Sequence, residues 1–204
     1  MPRFFTGRGD FVGIHHLPNA FRSLAQALRR RCFGIYPELP WIPFAAIPRM
    51  ERLLTPDSFV WEIGAGMSTL WLSARAKKVV SIEASAEWFE KLGGILRQKN
   101  VTNVDLRFEW IADRMSTYPG VKETGIDLLF IDGGPRHDCL FHGFDQVKAG
   151  GYIYLDNWDV AVFWRGAEEF LQARSAEIES SERFIDYVPG SFFVNDGLLI
   201  RKKC

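Results

Sequence analysis

The octapeptide Glu62-Ile-Gly-Ala-Gly-Met-Ser-Thr69 limits the folds open to this chain more than any other stretch. Phe59-Val60-Trp61 opens an apolar run that reads as a buried strand over Phe59–Ile63. After it, Leu70, Trp71, Leu72 and Ala74 set a helical pattern over Ser68–Ala76. A strand that turns through glycines into a helix is how parallel α/β sheets bring a nucleotide against backbone N–H groups. Gly64 and Gly66 lack the Cβ that would obstruct a tight turn and a close ligand.

The alternation continues downstream. Strands are expected at Lys78–Glu83, Val104–Phe108, Ile126–Ile131 and Tyr152–Leu155. Helices are expected at Ala86–Lys99, across an internal Gly93-Gly94, at Leu140–Lys148, stopped by Gly150-Gly151, and at Ala161–Ala173. A loop carries Asp113. Arg183–Val188 and Leu198–Lys202 follow as strands with no helix between them, separated by Pro189-Gly190 and Asn195-Asp196-Gly197. Without a crossover they must pair antiparallel at one edge. The expected fold is α/β: a doubly wound, mostly parallel seven-stranded sheet with an antiparallel C-terminal strand.

Residues 1–54 read as a separate N-terminal arm with helices, a lid or partner surface, ahead of a sheet domain over 55–204. Met1–Asn19 is aperiodic. Phe21, Leu24, Ala25 and Leu28 give Phe21–Arg31 an amphipathic helical spacing, Tyr36–Pro43 is too proline-rich for regular structure, and Ala45–Leu54 is again helical.

Composition narrows the partners. The 25 Lys+Arg balance the 25 Asp+Glu, leaving no electrostatic footprint for nucleic acid. Arg29-Arg30-Arg31 closes a helical pattern, where cations complement the dipole. The three cysteines form no CxxC pair, so neither a zinc knuckle nor a disulfide framework is indicated. No signal core and no membrane-length run are visible, so a cytoplasmic protein is expected, with a small-molecule partner, no nucleic acid and no membrane. Apolar helix faces leave a homo-oligomer open.

Ligands of open parallel sheets sit beyond the carboxyl ends of the strands. The residues there are Glu62, Glu83, Asp113, Asp132 and Asp156-Asn157. Acidic groups gathered on one rim need cations, hydroxyls or metal to face. Glu83 stands nineteen positions beyond Gly64, the spacing at which a carboxylate accepts both ribose hydroxyls of an adenosine. Asp113 could accept from an adenine amino group, or cap a helix.

The set Glu-x-Gly-x-Gly, acidic second and fourth strand ends and a terminal antiparallel strand resembles class I S-adenosylmethionine-dependent methyltransferases, over about Phe59–Lys203. The resemblance implies that Glu62, Gly64 and Gly66 cradle the methionine and ribose end, with Ser68 in place of a frequent third glycine. It implies that Glu83 holds the ribose, that Asp113 holds the adenine and that Asp132 borders the cofactor. Ile131-Asp132-Gly133 and Leu155-Asp156-Asn157 further resemble the metal triad of catechol-type O-methyltransferases, which implies Mg²⁺ on Asp132, Asp156 and Asn157. That group's lysine is missing, and Arg136 and His137 stand near its place. Arginine stays protonated, so His137 or Asp132 becomes the candidate base for methyl transfer to a small-molecule hydroxyl. Trp158 and Trp164 could floor an acceptor pocket. The alternatives are a catalytically inactive cofactor-binding or interaction module, and an NAD(P)-dependent oxidoreductase, against which Thr69 stands where a third glycine belongs.

Overall fold

Continuous apolar runs become the central strands because a parallel sheet is covered on both faces. The computed structural model describes residues 3–110 and 125–204. Strands β1 (Phe59–Ile63), β2 (Lys78–Glu83), β3 (Val104–Phe108) and β4 (Ile126–Ile131) have the expected bounds. With β5 (Val147–Leu155), β6 (Ile178–Val188) and β7 (Ser191–Lys202) they form one seven-stranded sheet in the order β3-β2-β1-β4-β5-β7-β6. β1 through β5 pair parallel, whereas β7 runs antiparallel to both β5 and β6. The order reverses between β1 and β4, and a crevice for a ligand opens at such a switch point.

Side chains alternate between two apolar layers. Val60, Leu128, Phe130 and Tyr154 face one, while Trp61, Ile63, Leu129, Ile131, Ile153 and Leu155 face the other. The second layer is covered by α5 (Arg136–Phe144) and α6 (Ala161–Ala173). Residues before the sheet join the first layer. Val12, Ala20, Ile42, Phe44 and Met50 are buried in the same core as Val60 and Phe130, and α2 (Ile47–Leu53) packs there. Between β1 and β3 lie α3 (Met67–Ser73) and α4 (Ala86–Gln98), the latter unbroken by Gly93-Gly94 because Leu92 and Leu96 are buried.

Three expectations need correction. The helix after β4 begins earlier, at Arg136, and Gly150-Gly151 lies inside β5 rather than stopping a helix. Gly150 has φ +72°, and a Cβ on Gly151 would stand 2.7 Å from Val147 Cγ1, so this pair accommodates the register shift between β4 and β5. Asn195-Asp196-Gly197 lies within β7, where a Cβ on Gly197 would meet the Tyr154 hydroxyl; Pro189-Gly190 alone makes the turn. Finally, the first helix, α1, runs over Leu17–Phe33 rather than Phe21–Arg31; closed by Gly34 at φ +66°, it points its apolar row away from the core.

Candidate active site

The glycine turn is built by backbone contact between two strand ends. Gly64 has φ +91°, and a Cβ there would lie 2.7 Å from Gly133 N; a Cβ on Gly133 would lie 2.7 Å from Gly64 Cα. The turns after β1 and β4 therefore touch with no room for a side chain. Gly66 differs. Its backbone is extended, and an added Cβ would stand in ordinary contact with Ser68 Oγ at 3.6 Å and Trp88 Nε1 at 3.7 Å, with no clash. Gly64→Ala should cost about 2–4 kcal/mol by combining a left-handed φ with a backbone clash. Gly66→Ala should cost less than about 1 kcal/mol, and urea unfolding of the two variants checks the difference.

Glu62 is fully buried behind the turn. Its carboxylate accepts hydrogen bonds from Ser68, from Thr69 Oγ1 at 2.6 Å and from Ser81. Burial pushes its pKa up to about 7, opposed by the three hydroxyls. The residue thus ties β1 to β2 and to the first turn of α3, and it does not line the cleft. Thr69 Oγ1 also accepts from Gly66 N at 3.0 Å, fixing the entry to α3.

The cleft is lined by Gly64–Ser68, Glu83, Ala84, Asp132–Gly134 and two tryptophans, Trp41 and Trp88. Half-buried Glu83 is held in place because its Oε1 accepts from Ala84 N at 2.9 Å and Ser85 N at 2.7 Å. Burial raises its pKa above the usual carboxylate range. Trp88 Nε1 donates to Ala65 O at 2.8 Å, and Tyr36 stacks on Trp41 with ring centroids 6.1 Å apart. An aromatic wall thus faces the glycine turn.

On the β4 side Asp132 borders the cleft, with its pKa pushed up to about 6 by burial and held back by Arg136. Arg136 is itself buried. Its guanidinium donates to Asp156 O at 3.0 Å and Asn157 Oδ1 at 2.7 Å, lies 3.5 Å from Asp132 Oδ1, and covers the Phe163 ring at 4.4 Å. Asn195 Nδ2 bonds both Asp156 oxygens, at 3.0 and 2.9 Å, and Tyr154 donates to Oδ1 at 3.2 Å. Asp156 is held well above the carboxylate range, by burial first and by the Asp132 charge next.

Comparison with known proteins agrees with this geometry. A family model described as a methyltransferase domain matches residues 61–158. Among solved structures, the O-methyltransferase TomG from Streptomyces achromogenes, in complex with SAM, is 16% identical at a TM-score of 0.64, covering 90% of each chain. A SAM-dependent O-methyltransferase from Thermotoga maritima is 16% identical at a TM-score of 0.61, covering 88% of this chain and 71% of its own. An rRNA methylase from Streptococcus thermophilus is 16% identical at a TM-score of 0.59, covering 76% of this chain and 92% of its own. No curated protein matches. The fold is that of the class I S-adenosylmethionine-dependent methyltransferases.

Within this fold the expected metal triad does not fit a divalent cation. Mg²⁺ needs hard oxygens that can turn toward it in an octahedron. Here Asp156 is buried with both oxygens bonded to Asn195, and the Asn157 oxygen is bonded to Arg136. Asn157, at φ +57°, is further tied through Nδ2 to Asn195 Oδ1 at 3.0 Å. A guanidinium sits where the cation was expected.

His137 needs a correction too. It lies in α5 rather than beside it, and its ring packs on Gly166 of α6, with Nδ1 3.1 Å from Asp138 Oδ1. The ring is 4.7 Å from Phe141 and does not line the cleft, so Asp132 is the base candidate that does. Trp158 and Trp164 are not cleft walls either: the Arg8 guanidinium covers both, at 5.0 and 5.1 Å. Asp113 lies outside the described residues. Asn195 went unread as a site residue, because only the β5–β7 pairing brings it to Asp156.

Proposed function

We propose that the chain transfers a methyl group from S-adenosylmethionine to a hydroxyl oxygen of a small-molecule acceptor, without a metal. The observation that carries the reading is one cleft at the sheet's switch point. It has a carboxylate fixed by backbone amides on one side, Glu83, and an acidic group with raised proton affinity on the other, Asp132. The side-chain-free backbone of Gly66 in the cleft lining and the Trp41 and Trp88 wall suit an adenosyl group with a small amino-acid tail. The cofactor supplies an electrophilic methyl on a sulfonium. The chain's own residues bind and align. Glu83 would accept the ribose hydroxyls, backbone from Gly64 to Ser68 would hold the methionine end, and Asp132 would take the acceptor's proton. Asp132 suits that task because a base works best with a pKa near the operating pH. Arg136 fixes its orientation and keeps it from being protonated outright. Alignment of donor and acceptor supplies the larger share of the rate, by removing translational and rotational freedom.

Calorimetric titration with S-adenosylhomocysteine tests the cofactor half. Saturable binding is expected, weakened on the order of tenfold to a hundredfold in Glu83→Ala, which loses charge-assisted hydrogen bonds. A folded sample that binds nothing would overturn the reading. Asp132→Asn should then bind the cofactor normally and lose roughly 10²–10⁴ in kcat in a screen of phenols and sugars run with EDTA present. Activity that survives in Asp132→Asn removes its role as base.

A further inference from the structure

Helix α1 is mounted inside out. Two rows run along it with the same spacing and on opposite sides. Asn19, Ser23, Gln26 and Arg30 face the protein: Ser23 Oγ donates to Val188 O at 2.8 Å and lies 2.7 Å from Ser191 O, Asn19 donates to Asp186 at 2.7 Å, and Gln26 accepts from Gly190 N at 3.1 Å. Leu17, Phe21, Leu24 and Leu28 face solvent, with Phe21 72% and Leu28 54% exposed. A surface helix normally does the reverse. The fold anchors α1 by polar bonds and leaves its apolar stripe uncovered.

Charge decides what covers it. Residues 11–37 contain Arg22, Arg29, Arg30 and Arg31 and no Asp or Glu. Arg30 and Arg22 lie over the rings of Trp41 and Phe44. Arg29 and Arg31 are exposed on either flank of the stripe and form no salt bridge among the described residues. We propose that α1 is a membrane-surface helix that docks the protein on anionic lipid, laying Leu17, Phe21, Leu24 and Leu28 into the acyl boundary with Arg29 and Arg31 on headgroup phosphates. A second copy would offer a matching stripe but no acidic partner for the arginines. RNA would pair with the arginines and leave Phe21 and the leucines wet. A lipid surface answers both features. No helix among the described residues is long and apolar enough to cross a membrane, and surface docking needs none. The docked face would sit close to the cleft, because Gly34 closes α1 and Tyr36, two residues on, stacks on Trp41 and packs at a tilt against Trp88.

Co-sedimentation with vesicles of phosphatidylcholine alone, or with added phosphatidylglycerol, tests the proposal. The wild type should bind the anionic vesicles and not the neutral ones, with binding falling as salt rises. Phe21→Asp with Leu28→Asp should bind at least about tenfold more weakly, since each side chain contributes apolar transfer energy. Arg29→Gln with Arg31→Gln should also bind more weakly, and only to a degree that high salt reproduces in the wild type. All four positions are exposed, so thermal melts of the variants should match the wild type. Absence of binding to anionic vesicles by folded protein overturns the proposal. So does a dimer in solution that Phe21→Asp dissolves, or retention of a short RNA with no lipid binding.

Discussion

Arg136→Met should lower the unfolding free energy by about 3–5 kcal/mol, the range for removing one partner of a buried charge pair. Methionine retains much of the stem that packs on Phe163, so the loss isolates the guanidinium. That group faces Asp132, bonds Asp156 O and bonds Asn157 Oδ1, and each acceptor is left short when it goes. Lysine should rescue little, because one ammonium cannot reproduce a planar fork reaching several acceptors. Urea unfolding at neutral pH measures the cost. A double-mutant cycle with Asp132→Asn apportions it: once Asp132 is neutral, losing Arg136 should cost less. Equal stability of Arg136→Met and the wild type would show that the guanidinium is not the counter-charge of this cluster. The same geometry predicts that Mg²⁺ leaves the melting temperature of the wild type unchanged, since the Asp156 and Asn157 oxygens are already engaged.

The strands β1, β2 and β4 were legible because each is a short, mainly apolar run, as a doubly covered sheet asks, and β3 because Val104, Leu106 and Phe108 alternate with polar residues. Strands β6 and β7 were read short. The first part of β6, Glu179-Ser180-Ser181-Glu182, is exposed and carries no apolar signal, whereas the first part of β7 is largely buried and was cut off by Asn195-Asp196-Gly197, which reads as a turn. Gly150-Gly151 misled because glycine permits a helix stop and a bulge equally. At the site, the turn and Glu83 were readable from local spacing. What fills the place expected for metal was not. Arg136 follows Asp132 by one helical turn, a visible hint, but its bond to Asn157 depends on neighbouring strands lying side by side. In α1 both rows have helical spacing, and periodicity alone does not say which one faces inward. Hydrophobicity by itself favours burying the leucines; the carbonyls of Val188 and Ser191 take the Ser23 hydroxyl instead.

Glu62→Gln should remove a pH dependence that the wild type carries in its core. The folded-state pKa of Glu62 stands at about 7 against an ordinary 4.5, with burial the main cause. Below about pH 4.5 the carboxyl is protonated in both states and costs nothing. Between pH 4.5 and 7 the unfolded chain releases the proton while the folded chain keeps it, so stability falls as pH rises. Above pH 7 the folded protein holds a buried carboxylate, and the deficit levels off at roughly 3 kcal/mol. Other buried carboxyls titrate in the same range, among them Asp132, so the quantity to measure is the difference between variant and wild type at each pH. That difference should be near zero at pH 4 and favour glutamine by up to roughly 3 kcal/mol at pH 8. Glu62→Ala should destabilise at every pH, because it leaves Ser68, Thr69 and Ser81 without their common acceptor. A wild-type curve parallel to that of Glu62→Gln across this range would mean the carboxyl ionises in the folded protein as readily as in water. The price of a buried acid at the end of β1 is then the cost of gathering three hydroxyls from β2 and α3 behind the turn. The position of that turn against Gly133 sets the floor of the cleft.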